Sequence, residues 1–248
     1  MTESMPQRLT HDSLSAALLD DNTEARKRFR DEHAEPLSEV RDTCLRSYRA
    51  IDVLNNGHPE GDLRFDTARL FMHTAFNNVL TSTNLLVAGL PLPSGHMMRH
   101  AGESLAMALL IADAQSGVLE RFHREGPKYP VQDAISTIRR PKRWKRVAEL
   151  LDLSEDGAAM LRDLEVFYSG CSHSGAFALG YQFVFAADGA LVVGAEFDPA
   201  KRDHARTELA MRLEVFEVIK GLADRLGEIL APRGMATDSS PSDLGTPT

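Results

Sequence analysis

The residues best placed for chemistry are His96, Arg99, His100 and Glu103, a run of polar groups at helical spacing. On a helix, residues three and four apart lie on one face. Arg99 and Glu103 are therefore spaced for an ion pair, while His96, His100 and Glu103 could meet one ion. An arginine fixed by a carboxylate can hold an anion or phosphate, and a neighbouring imidazole can move a proton near neutral pH. Two imidazoles and a carboxylate can bind a transition metal, with His73 or His173 as the fourth ligand. A ferritin-like di-metal bundle, however, needs Glu-x-x-His from two helices. Outside the charged N-terminus that spacing occurs at Glu120 and His123, the wrong end of the same stretch. Hydrogen-bonded structural histidines are thus the default and no metal or other cofactor is expected, with a metal-dependent enzyme kept as an alternative.

Other chemistries are poorly served. Ser172 lies in Gly170-Cys171-Ser172-His173-Ser174, which lacks the last glycine of a nucleophile elbow and follows a helical pattern rather than a strand. Cys171 and His173 are two apart and would point away from each other on a helix. There is no phosphate-cradling glycine loop and no dinucleotide fingerprint. His173 retains interest because its corner joins a helix to a predicted hairpin, and loops carry function more often than cores do. A second candidate is the basic run Arg139–Arg146, six basic residues in eight around the single tryptophan. Arg140, Lys142 and Arg143 could contact phosphates while Trp144 stacks on a base. Equally, the run could be a solvated helix start whose Trp144 plugs the core edge. The candidate catalytic residues are accordingly Arg99, Glu103 and His173. The candidate ligand-binding residues are Asn84, His96, His100, Ser169, Arg140, Lys142, Arg143 and Trp144.

Several elements must position these groups. The stretch Ser94–Arg124 is the expected centre: Met98, Ala101, Leu105 and Ala108 share one helical face, and Met107 and Leu110 share the opposite one. A helix apolar on both sides is buried on both sides. The polar run heads that second face, with Ser94 as the expected cap. Before it, a helix from about Leu63 to Ala88 turns Met72, Phe76, Val79 and Leu86 inward beside a polar stripe of Arg69, His73, Asn77, Thr81 and Asn84. The short Gly89–Pro93 link makes the two helices antiparallel neighbours and brings Asn84 to the level of His96. An earlier helix runs from Leu37 to Leu54, and a later one from Ser154 to about Cys171. Alternating apolar residues around Asp188-Gly189 then predict a β-hairpin over 176–197. A last helix from Pro199 to about Ala231 closes the bundle.

The predicted fold is mainly α, one single-domain helical bundle over 35–231 with the hairpin between its last two helices. Residues 1–34 form a charged N-terminal arm, and 232–248 read as a disordered tail. A net charge of -8, from 28 basic and 36 acidic residues, argues against coating nucleic acid through overall charge. Two cysteines exclude a disulfide framework and point to a reducing cytoplasm. No signal core is evident, and no apolar run approaches the roughly 20 residues that span a bilayer.

Two long helices joined by a Gly/Pro link, Arg99-x-x-x-Glu103 in the second, and a later helix ending in Ser169-x-x-x-His173 resemble uncharacterised bacterial helical proteins that are similar to the HEPN-like superfamily. The resemblance covers about residues 60 to 230. It implies an all-helical bundle, frequently dimeric, associated with nucleotide or RNA binding and in some members with metal-independent RNA cleavage. The nuclease members carry Arg, four to six intervening residues, then His, late in the bundle. Here Arg26 or Arg28 with His33 falls in the N-terminal arm and Arg69 to His73 is one residue short. An RNA or nucleotide partner and a homodimer are the expectations, with a non-enzymatic interaction module as the alternative to ligand chemistry.

Overall fold

A computed structural model describes residues 21–56, 61–129, 149, 163–164, 166–172, 178, 180–181, 183–184, 190–191 and 195–230. These are mainly helical. The order is α1 (Thr23–Glu32), α2 (Ala34–Asn56), α3 (Leu63–Val87), α4 (Pro91–Ala112), α5 (Val118–Glu125) and, after short 3-10 turns at Gly126–Lys128, Gly170–Ser172 and Pro199–Lys201, α6 (Arg202–Leu230). Among the described residues, no helix is long and apolar enough to cross a membrane.

The α3–α4 pair is the frame of the bundle. Asp62 starts α3 by accepting hydrogen bonds from the amides of Arg64 (2.9 Å) and Phe65 (3.1 Å), which satisfies two of the donors that a helix start leaves open. Its Met72, Ala75 and Val79 are fully buried. The turn into α4 needs Gly89: its φ is +76°, and a Cβ there would lie 2.7 Å from the Glu196 carbonyl oxygen. The link is so short that the helices return along each other and pack extensively. α4 is enclosed on both sides, with Met98, Leu105, Met107 and Leu110 all at zero exposure. Gly95 and Gly102 on one of its faces admit the later helical segment, since a Cβ at Gly95 would collide with the Cys171 sulfur and one at Gly102 would lie 2.8 Å from Leu164 Cδ2.

Four expectations change. Ser94 is no cap: α4 begins at Pro91, which is favoured in the first turn because its missing N–H is not needed there, and Ser94 is buried inside the helix. The central stretch also stops at Ala112. Ser116 ends it by donating to the Leu110 carbonyl (2.5 Å) and accepting from the Val118 amide (3.1 Å), so α5 is separate. The charged N-terminal arm contains a packed helix, α1, whose Phe29 ring stands edge-on to Phe197 at 6.2 Å. Finally, among the described residues the hairpin over 176–197 is not seen at its predicted extent. Ala178, Gly180 and Tyr181 are helical, and the described extended pairing is a two-residue antiparallel ladder, Phe183 opposite Leu191 and Val184 opposite Ala190. A two-stranded ladder of this kind gains little stability by itself.

α6 closes the other side. It packs extensively on α2, where Ser47 Oγ donates to the Phe216 carbonyl (2.6 Å), and also on α3. α2 and α3 meet only sparsely, where Asn55 is bonded to His73 and Arg69 and where Tyr48 lies against Phe76. Beyond these contacts they part and leave a groove with Phe216 at its floor.

Candidate functional site

The polar head of α4 is assembled as its spacing predicts. Arg99 Nε donates to Glu103 Oε1 at 3.0 Å, and His100 Nδ1 lies 3.3 Å from Glu103 Oε2. Arg99 and Glu103 keep 21% and 13% of their side-chain surface, whereas His100 keeps 57%. Arg99 shares the helical face of Gly95 and Gly102, so it borders the segment that closes on those glycines. His96 is half-buried on the same helix.

The other candidates do not join it as described. Asn84 is exposed and lines the α2–α3 groove, two residues round the helix from Ser82, which faces α4. Ser169 Oγ turns back to the Val166 carbonyl (2.8 Å) at the end of its own helical turn. His173, Arg140, Lys142, Arg143 and Trp144 lie outside the described residues. His73, weighed as a metal ligand, is instead bonded to Asn55 (3.0 Å), and burial, helped by Arg69, lowers its pKa. Among the described residues no group of three His, Cys, Asp or Glu side chains could hold a metal ion.

The densest polar cluster lies elsewhere and went unread in the sequence. Arg212 and Glu208, one helical turn apart on α6, have side-chain exposures of 0% and 3%. Arg212 Nη1 donates to Glu208 Oε2 (2.6 Å) and to the Glu208 carbonyl (2.5 Å), and Nη2 donates to Ser82 Oγ (2.8 Å) and Ser94 Oγ (2.5 Å). The two serines also bond each other across α3 and α4 at 3.0 Å. Tyr168 donates to Glu208 Oε2 (2.7 Å), and the Tyr181 hydroxyl lies 3.2 Å from Oε1 and 2.7 Å from His204 Nε2. Tyr181 has one hydrogen, so it donates to Glu208 when His204 Nε2 carries a proton and to His204 when it does not. One guanidinium thus gathers α3, α4 and α6, and one carboxylate gathers the two tyrosines.

The electrostatics of this cluster favour holding over reacting. Burial pushes both phenols well above their ordinary pKa, with Glu208 adding to the effect. The Cys171 thiol beside them is pushed up to about 11 by burial, then by Glu208, so it is not a thiolate at neutral pH. His204 is lowered by burial despite Glu208, which keeps its imidazole neutral. A buried charge persists when it is paired and hydrogen-bonded, and Glu208 and Arg212 satisfy that condition. The signal in the sequence was the pair itself: two opposite charges one turn apart, inside the stripe of Ala205, Leu209, Phe216 and Ala223.

The α2–α3 groove has the opposite character. It encloses about 580 Å³, and its lining is apolar apart from a few polar groups, with Arg30 and Arg41 as the charged members. Leu45 and Leu80 stand on its two sides with 50% and 41% of their surface exposed. Tyr48, 51% exposed, leans on Phe76, and Phe76 on Phe216, with ring centroids 5.8 and 5.5 Å apart. No protein family, no curated protein and no solved structure matches this chain.

Proposed function

We propose that this chain is an interaction module that pairs with a second copy of itself through the outer face of α2 and α3. One observation carries the reading: Leu45, Tyr48 and Leu80 leave about half of their surfaces in water on both sides of an apolar groove. Scattered exposed apolar residues need no explanation, but a contiguous patch around a groove does. The exposed side of α2 carries both signs around Leu45, with Arg41, Asp42, Arg49 and Asp52. A two-fold axis near Leu45 lets an antiparallel α2 bring Asp42 toward the partner's Arg49, the self-complementarity that a symmetric dimer requires. The cluster on α6 is sealed and offers no recognition surface of its own. Light scattering behind size-exclusion chromatography tests this. The expected result is a dimer that the combined Leu45→Glu and Leu80→Glu replacement converts to a folded monomer.

A second reading places an RNA or nucleotide phosphate at Arg99, as the HEPN-like resemblance suggests. Its support is that Arg99 and Glu103 remain partly accessible beside the segment that leads to His173. Salt-dependent retention of RNA oligonucleotides, lost when Arg140, Lys142 and Arg143 become Ala, is its expected signature. Indifference to RNA at low salt removes it.

A further inference from the structure

His33 stands at the elbow between α1 and α2. Its backbone closes α1 by donating to the Phe29 carbonyl (3.0 Å) and opens α2 by accepting from the Leu37 amide (3.0 Å). The side chain is fully buried, and neither ring nitrogen has a hydrogen-bond partner. Its ring lies against Phe29 (4.6 Å between centroids, tilted 50°) and edge-on to Phe197 (6.3 Å). Phe197 belongs to the strap 195–198, which Glu196 anchors at the Gly89 turn by donating its amide to the Gly89 carbonyl (3.3 Å). Phe197 touches both Phe29 and the His33 ring, and Arg202 at the start of α6 is ion-paired with Glu32 at the end of α1.

A buried donor or acceptor left unmatched costs free energy, so a native one calls for a reason. The charges around His33 are Glu32 on its own element, which favours its protonation, and Arg202 and Arg206 on α6, which oppose it. Glu32, itself ion-paired with Arg202, is the largest of these charge effects, and burial outweighs it. Neutral, the imidazole completes a triangle of mutually touching rings with Phe29 and Phe197. Protonated, it would be a cation between two phenyl rings and two guanidinium groups, with no acceptor for either N–H.

We propose that His33 is an acid-operated latch: its neutral ring clamps the α1–α2 elbow to the strap 195–198 and the start of α6, and protonation releases that corner while the α3–α4 frame stays closed. Arg30, one turn before His33, lines the end of the α2–α3 groove, so release would also reshape that end. The latch does not depend on self-association, and a monomer would show it equally.

The sign follows from burial. The ordinary histidine value is near 6.5, and burial lowers the folded value below it, ahead of the contributions of the neighbouring charges. The released form therefore takes the proton more readily. The clamp is at full strength above about pH 6.5 and weakens as the pH falls toward the folded value.

Hydrogen–deuterium exchange at pH 7.5 and 5.5, corrected for the intrinsic pH dependence of exchange, reads the elbow directly. Expected is a loss of protection at pH 5.5 confined to peptides over 23–37 and 195–206, about tenfold for each pH unit below the ordinary histidine value until the folded one is reached. The His33→Phe protein, which keeps an aromatic plate, should hold the same peptides closed at both pH values. If it does not fold, His33→Leu replaces it with the same expectation. A wild-type elbow equally protected at both pH values would overturn the proposal, as would opening that persists undiminished in the variants.

Discussion

Two of the Arg/Glu pairs with a four-residue spacing, one on α6 and one on α4, sit in opposite surroundings. On α6, Glu208 and Arg212 are sealed and also bond Ser82, Ser94, Tyr168 and Tyr181, with Arg212 Nε alone left without a partner. On α4, Arg99 and Glu103 face partly into water, with the exposed His100 as a third member. Spacing fixes that two groups can meet; surroundings fix what the meeting is worth. In the interior, each partner of a pair is costly to strand, because the survivor keeps its desolvation penalty without its counter-charge. Near water, the survivor is simply rehydrated and the pair is worth little.

The sharpest way to break that contrast is to strand Glu208. Arg212→Ala should cost about 3–5 kcal/mol, as removal of one member of a buried pair does, read as a shift of the urea midpoint at unchanged slope. The double replacement Glu208→Leu with Arg212→Met, similar in volume and without charge, should cost less than Arg212→Ala alone. If it costs more, the cluster stabilises the fold through its polar bonds beyond mere pairing. Next is Ser94→Ala, which removes one acceptor from Arg212 and the bond to Ser82, and should cost about 1–3 kcal/mol in the same assay.

Acid should separate the regions as well. His33, His73 and His204 are all lowered, chiefly by burial, so the unfolded chain takes up protons more readily than the folded one. Stability is then level above about pH 6.5 and falls below it, by at most about 1.4 kcal/mol per pH unit for each proton taken up on unfolding. Urea titrations at pH 7.5 and 5.5 should show this loss, with a smaller slope in a His204→Asn protein. The smallest effect expected is that of Arg99→Ala, about 1 kcal/mol or less. A cost equal to that of Arg212→Ala would erase the distinction between the two pairs.

Much of the helical frame was legible because apolar periodicity is a property of the chain itself. Met72, Phe76, Val79 and Leu86 turn inward on α3 as their spacing predicts, and α4 is buried on both faces. The ends were less legible, because Pro91 and Ser116 act through particular bonds rather than through period. The stretch around Tyr181 alternates like a strand, yet Tyr181 is helical and its hydroxyl is drawn to Glu208. A tertiary partner there outweighs a local pattern, as it often does for strand propensity. The same reason hid the α6 cluster: Tyr168, Tyr181, Ser82 and Ser94 are far from Glu208 in sequence, and only the fold makes them neighbours. Arg99 and Glu103 were readable because both sit on one helix. Asn84 was misplaced because the level of a residue along α3 says nothing of which side of α3 it occupies.

The central claim, that the working surface is the outer face of α2 and α3, is tested most directly by methyl NMR spectra recorded across a dilution series. The account predicts concentration-dependent shifts at the methyl groups of Leu45 and Leu80, with those of the core residues Leu105 and Leu110 unmoved. Spectra identical at every concentration, or shifts centred on another face of the bundle, would contradict it.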